Sequence, residues 1–329
     1  MIRRTESAAA GDGLSGTAER PPVAVIGAGL IGRAWAIVFA RAGHPVALYD
    51  VDSGASERSL EQIGSSVREM IAHGLLVEPA ERVIGRVRIG STLQHALAGV
   101  ALVQENIRET LEDKMAIFGE LDRLASPETI LASSTSWLPA SRFTRSLPGR
   151  GRCLVAHPVN PPSLVPLVEI APAPWTDPGV VARARALYEG AGQVPVTLSR
   201  EIEGFILNRL QGAVLDEALN LYAQGCASAE DIDRVMRDGL GGRWTFMGPF
   251  ETIDLNAPGG VVDYAERYGP TYKRIAAERR PFDWNPEVIQ RLERERRDRL
   301  PASQVEARAA WRDRRLMMLA AFKRGLPEE

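Results

Sequence analysis

The stretch Pro22-Val-Ala-Val-Ile-Gly27-Ala-Gly29-Leu-Ile-Gly32 constrains this chain more than any other, because a short β-branched run stops at a glycine and a helical pattern begins almost at once. Leu30 to Ala42 carries Ile31, Ala34, Trp35, Val38 and Phe39 at helical spacing. Strand, tight turn and helix in that succession fit few architectures. Gly27 permits the turn, Gly29 lets backbone approach a diphosphate with no side chain between, and Gly32 lets the helix lie close on the strand. The first N–H groups of such a helix point at bound phosphates. Glycine-rich turns also occur in ordinary α/β proteins, so the surroundings must decide. They do: a second strand, Val46 to Asp50, ends in an acid about 20 residues on, the position from which a carboxylate accepts ribose hydroxyls.

An acid beside the ribose repels a 2′-phosphate, and Val51, Asp52 and Ser53 supply no compensating cation. NAD is therefore expected rather than NADP. Further strands are predicted at Val87 to Ile89, Val100 to Val103, Thr129 to Ala132, Cys153 to Ala156, Val168 to Ile170 and Val194 to Thr197. Helices are predicted at Glu57 to His73, Glu112 to Leu124 and Pro178 to Glu189. Strands alternating with helices imply an α/β, Rossmann-type, mostly parallel sheet. Beyond about Glu201 the strand signal stops, and Ile202 to Tyr222, Ala229 to Arg237 and Pro286 to Phe322 read as helical. The expected organisation is a mobile extension over residues 1–20, a nucleotide-binding domain over 21–200 and an all-helical substrate and dimerisation domain over 201–329.

At 329 residues the chain is long enough for two cores. A hydrophobic fraction of 45% and a formal net charge of -2 carry no basic surplus, so neither nucleic acid nor a membrane surface is an expected partner. The arginine-rich end, ERERRDR and WRDRRLMMLAAFKR, interleaves acids with its cations and reads as a solvated helix face with an apolar seam. Cys153 and Cys226 lie far apart with no metal-ligand or redox spacing around them, so no metal is expected and a cytoplasmic location fits. No apolar run approaches the ~20 residues of a membrane span.

Oxidising a secondary alcohol requires a base for the hydroxyl proton and a group that fixes the tautomer of that base. Of the four histidines, His44 falls at a turn, His73 on a helix and His95 on a helix or loop. His157 instead follows a strand and opens the stiff sequence His-Pro-Val-Asn-Pro-Pro, while Glu169 sits inside the apolar run Leu167 to Ile170, where a carboxylate is costly unless paired.

In VAVIGAGLIGRAWA, VQENIRETLEDK, SSTSWLP, VAHPVNPPSLVPLVEI, EIEGFILNRLQ and VMRDGLGGRWTFMGPFETIDLNAPGG, the sequence resembles the 3-hydroxyacyl-CoA dehydrogenase family, most closely its lambda-crystallin and L-gulonate 3-dehydrogenase branch. The resemblance spans nearly all of Pro22 to Lys323. It implies His157 as the base, Glu169 as its partner, and Ser136 and Asn208 around the substrate oxygen. Ser136 read alone is a turn serine, and Asn208 a surface or capping amide. By the same resemblance Leu30, Ile31, Asp50, Glu109 and Lys114 occupy cofactor-contacting positions, and the helical part is expected to form a homodimer covering Leu316, Met317 and Leu319.

The substrate is narrower to argue. Acyl-CoA members carry lysines after the second strand, whereas this chain has none before Lys114. Gly241-Gly-Arg-Trp244 resembles the branch acting on free hydroxy acids, and Arg243 is either a carboxylate clamp or half of a salt bridge. A small hydroxy acid is the first expectation. A 3-hydroxyacyl-CoA, L-carnitine and a crystallin-like structural role are the alternatives, the last opposed by the intact His157, Glu169, Ser136 and Asn208.

Overall fold

A computed structural model describes residues 20–327, so the expected N-terminal extension lies outside the described residues except for Arg20. Two compact units appear, one running to Glu203 and resuming at Leu316, the other Gly204–Arg315. The first holds an eight-stranded sheet in the order β3-β2-β1-β4-β5-β6-β7-β8. Its strands are β1 (Val23–Ile26), β2 (Val46–Tyr49), β3 (Val87–Ile89), β4 (Leu102–Glu105), β5 (Ile130–Ser133), β6 (Cys153–Pro158), β7 (Leu167–Pro172) and β8 (Val194–Thr197). All neighbours are parallel except β6 and β7. The order reverses between β1 and β4, and ligands of open α/β sheets bind beyond the strand ends at such a switch point.

Helix α1 (Leu30–Arg41) buries Trp35, Val38 and Phe39, the same positions that carry its helical periodicity. Trp35 stacks on Phe39 at 5.4 Å between ring centroids and meets Tyr188 at the same distance. Such pairs contribute roughly 0.5–1.5 kcal/mol beyond area burial. Helix α2 (Ser53–Ala72) adds Ile63, Val67 and Met70 on one face, and Asp52 caps it by accepting from the Gly54 N–H at 3.0 Å.

The second unit is helical, with segments including Leu207–Ala223, Ala229–Arg234, Gly260–Glu278 and Pro286–Arg299. The expected helix from Ile202 starts only at Leu207, because Gly204 and Phe205 take left-handed backbone angles, φ of 74° and 51°. The predicted helix Pro286 to Phe322 is two, since a 3-10 turn at Ala302–Gln304, preceded by Pro301, separates Pro286–Arg299 from Val305–Arg324. A larger correction concerns its end. Met317 is 4% exposed within the core of the first unit, with Leu316, Ala320 and Ala321 packed alongside, and Arg324 donates to the Leu75 carbonyl at 2.6 Å. Leu316 and Met317 are thus covered by the chain itself, and residues 316–327 fall outside the helical unit to which the sequence had ascribed them. Leu319 stays 38% exposed.

Below the strand ends lies a buried carboxylate. Glu105, at the end of β4, accepts from Lys114 Nζ at 2.7 and 2.9 Å, from the Ser133 hydroxyl at 2.6 Å and from the Ile107 N–H at 2.6 Å. Lys114 and Glu105 are 1% and 0% exposed. Because removing one member strands a buried charge, Lys114→Met is expected to lower stability by about 3 kcal/mol, seen as a lower urea midpoint.

Candidate active site

The glycine turn follows β1 at the switch point. Gly27 has φ of +92°, and a Cβ there would stand 2.8 Å from the backbone carbonyl of Asn106, the residue after β4. At Gly32 a Cβ would collide with the Gly27 carbonyl oxygen. Only glycine fits either position. Gly29 differs, since nothing lies within 4 Å of the Cβ it lacks: the backbone there faces open space. Gly29 is the N-cap of α1, no side chain caps that helix and no acid occupies its first turn. The open cradle and unscreened N–H groups suit a diphosphate. Leu30 and Ile31 form the first turn, with Leu30 52% exposed. Asp50 Oδ2 accepts from the Ala28 N–H at 2.8 Å and Oδ1 from the Asp52 N–H at 3.0 Å, so the carboxylate stands fixed against the turn.

His157 and Glu169 lie directly opposite one another in the antiparallel β6–β7 register. Paired residues of adjacent strands project to one face. Accordingly Nδ1 of His157 meets Oε2 of Glu169 at 2.8 Å, with both residues buried. The other histidines sit elsewhere: His44 contacts the Pro21 carbonyl, His73 the Glu69 carbonyl and His95 the Ser91 hydroxyl.

Ser136 lies in the loop after β5. Glu109 reaches across from the loop after β4 and accepts from the N–H groups of Ser136 and Trp137 at 2.6 and 2.9 Å and from the Thr135 hydroxyl. Glu109 therefore shapes the loop that presents Ser136. Lys114 is buried, and its ammonium donates to Glu105 and to the Ile107 carbonyl, the latter at 3.2 Å. Asn208, in the first turn of Leu207–Ala223, and Arg243, in Gly241–Trp244, belong to the second unit. Arg243 is exposed, makes no salt bridge among the described residues and lies near Tyr264, whose hydroxyl is shifted upward chiefly by its bond to Tyr272.

A polar network passed unnoticed in the sequence. The Gln104 amide, fully buried, donates to the Ser134 hydroxyl at 2.7 Å and to the Ala156 carbonyl at 3.3 Å, and accepts from the Tyr188 hydroxyl. Ser134 also accepts from Trp35 Nε1 at 3.0 Å and donates to Asn106 Oδ1 at 2.7 Å. Asn106 in turn donates to the carbonyls of Gln104 and Ile26. The available signal was the pair Gln104-Glu105 continuing an apolar strand, where polar groups persist only when bonded.

A doubly wound sheet with this glycine turn and strand-end acid defines a dinucleotide-dependent oxidoreductase, and comparison with known proteins fixes which. Residues 22–202 match the 3-hydroxyacyl-CoA dehydrogenase NAD binding domain, and residues 204–296 match its C-terminal domain. A lambda-crystallin homolog of Bos taurus is 42% identical over 311 residues, covering 93% of this chain and 97% of the relative. An L-carnitine dehydrogenase of Streptomyces coelicolor is 36% identical over 260 residues, covering 78% of this chain and 81% of the relative. Among solved structures, a 5-formyl-3-hydroxy-2-methylpyridine 4-carboxylic acid 5-dehydrogenase, an NAD-dependent dismutase, matches with a TM-score of 0.81 at 27% identity, covering 93% of this chain and 99% of that one. The chain belongs to the 3-hydroxyacyl-CoA dehydrogenase family and is an NAD-dependent dehydrogenase. No helix among the described residues is long and apolar enough to cross a membrane.

The open space at Gly29 gives a clean test of the cradle. Gly29→Leu is expected to weaken NADH binding at least about tenfold by filling the phosphate approach, while the thermal midpoint stays within about 2 °C because the added Cβ has no protein atom within 4 Å.

Proposed function

We propose that this enzyme oxidises the 3-hydroxyl of a small free hydroxy acid to a ketone, with L-gulonate as the type of substrate. The observation that carries the chemistry is the buried His157–Glu169 pair on adjoining strands. Glu169 accepts from Nδ1–H, which leaves the lone pair of the ring on Nε2. Nε2 takes the hydroxyl proton, and the Glu169 carboxylate stabilises the imidazolium that results. NAD, when bound, supplies the hydride acceptor. Gly29 and α1 hold the diphosphate, and Asp50 takes the ribose hydroxyls. Ser136, set by Glu109, and Asn208 hold the substrate oxygen.

Two features favour a free acid over a CoA thioester. Helix α2 carries no lysine, and its arginines, Arg58 and Arg68, share it with Glu57, Glu61 and Glu69. Arg243 offers an exposed guanidinium without a salt-bridge partner among the described residues, a planar fork suited to a carboxylate. The substrate-side residues Asn208 and Arg243 would then belong to a helical substrate domain.

Self-association belongs to the same reading. The second unit exposes Val235, Phe250, Leu255 and Val262 at 66, 80, 67 and 70% and contains an apolar groove of about 400 Å³ lined by Val214, Leu221, Ile232 and Met236. Surfaces of this kind mark protein interfaces. A symmetric homodimer through the exposed apolar residues of the second unit is expected to give twice the chain mass in light scattering at micromolar concentration, and Phe250→Glu should shift it toward monomer; a wild-type monomer there refutes the dimer.

The activity is tested by NADH formation with L-gulonate, L-carnitine, 3-hydroxybutyrate and 3-hydroxybutyryl-CoA. L-gulonate is expected to have the highest kcat/KM, and preference for the thioester sinks the free-acid reading. His157→Ala should lose on the order of a thousandfold in kcat while the NADH Kd stays within about twofold, and Glu169→Gln should lose less. If His157→Ala keeps most of the wild-type rate, the proton acceptor is another group.

A further inference from the structure

We propose that Asp52 and Arg58 form a selectivity switch at the adenosine end of the cofactor site, in which Asp52 occupies a guanidinium that would otherwise receive a 2′-phosphate. The inference rests on Asp50 as the ribose carboxylate.

The residues directly after β2 contain no cation, which is why the sequence points to NAD. Helix α2 brings one back. Arg58 lies beyond the first turn of that helix, and its Nη2 meets Asp52 Oδ2 at 3.0 Å. Its Nη1 stands 2.9 Å from where a Cβ on Gly54 would be, so the guanidinium lies over the start of the helix. The neighbouring Ser59 hydroxyl donates to the carbonyl of Ala28, whose N–H holds Asp50. Asp52 itself donates its N–H to Asp50 at 3.0 Å. Arg58 is therefore linked to the ribose acid through Asp52, while the next residue, Ser59, anchors this part of the helix to the glycine turn.

The Asp52–Arg58 bond adds little to folding, because its side chains are 66% and 61% exposed and such pairs are screened by water. Its effect is electrostatic and local. The Arg58 guanidinium, through its hydrogen bond, holds the Asp52 carboxyl below the usual carboxylate range, so the pair stays charged near neutral pH. Asp52 bonds the guanidinium and its own N–H bonds Asp50, so two carboxylates stand close in sequence to a single engaged cation, a net negative environment for an incoming phosphate dianion. Arginine is well suited to phosphate, with a fork that matches two oxygens. Here one arm of that fork, Nη2, already bonds Asp52, so a 2′-phosphate has to compete with Asp52 for it while lying beside Asp50. The same chain with a neutral residue at 52 presents a positive guanidinium instead.

Asp52 also caps α2, so the replacement must keep the cap. Asn and Ser both do so without the charge. Calorimetric titration of the full-length protein with NADH and NADPH reads binding independently of turnover. Wild type is expected to prefer NADH. Asp52→Asn should tighten NADPH by about tenfold or more and narrow the ratio of the two Kd values accordingly. The double variant Asp52→Asn with Arg58→Gln should lose that gain, because the phosphate then has no guanidinium to reach. Asp52→Ser provides the same measurement if the asparagine variant does not fold. A ratio unmoved by either neutral residue overturns the proposal, as does a gain that survives removal of Arg58. Wild type binding NADPH as tightly as NADH overturns the reading of Asp50 and this proposal together, whereas a wild-type preference for NADH with an unmoved ratio overturns this proposal alone.

Discussion

The buried amide of Gln104 is the joint on which the site is assembled. It bonds to Ser134, to the carbonyl of Ala156 and to Tyr188, and through Ser134 it reaches Trp35 of α1 and Asn106. Three of these partners stand beside a group of functional interest. Ala156 precedes His157, Ser134 lies two residues before Ser136, and Asn106 closes against Gly27. The glycine turn and the strand bearing His157 therefore share one hydrogen-bonded frame. Inside a dry sheet such bonds are strong, and an unmatched donor or acceptor costs about 1–3 kcal/mol. The frame is neutral throughout, which lets it fix positions without adding charge beside the histidine.

How much of this the sequence discloses depends on the range of the interaction. The glycine turn and Asp50 are legible because their constraints are local: a positive φ at Gly27, a backbone contact at Gly32 and an acid at a strand end. The His157–Glu169 pairing is suggested only indirectly, by an acid that has no reason to sit in an apolar strand. Other features depend on distant partners and stay hidden. The end of β4 looks polar because Gln104 and Glu105 find their bonds across the sheet. Arg58 looks remote from Asp52 because helical winding, invisible in linear spacing, returns it there. The last helix looks like part of the helical domain because its apolar seam does not say which core it joins.

The reversed strand β7 solves two problems at once. Parallel strands all finish at the same edge, which collects turns and loops but places no strand interior opposite the end of a neighbour. An antiparallel strand starts at that edge, so Glu169, near the beginning of β7, falls opposite His157, near the end of β6. The ladder then fixes both backbones on either side of the pair, from Pro158 opposite Val168 to Leu154 opposite Pro172. The orientation of the ring follows from sheet geometry rather than from a mobile loop, and the carboxylate gains the donor that makes its burial tolerable.

Four carboxylates stand around these strand ends, and the nature of each partner separates their roles. Asp50 is held by backbone N–H groups of Ala28 and Asp52, and Glu109 by those of Ser136 and Trp137. Glu105 is held by an ammonium, a hydroxyl and an amide N–H. None of the amide or ammonium donors has a lone pair to offer, so these bonds run one way, from donor to carboxylate, and fix the acids in place. Glu169 alone among the four is bonded to an imidazole, whose second nitrogen can take up a proton while the first continues to donate to the acid. The acid–imidazole pair is thereby confined to one strand pair, and the other three acids are held by amide, hydroxyl and ammonium donors around it.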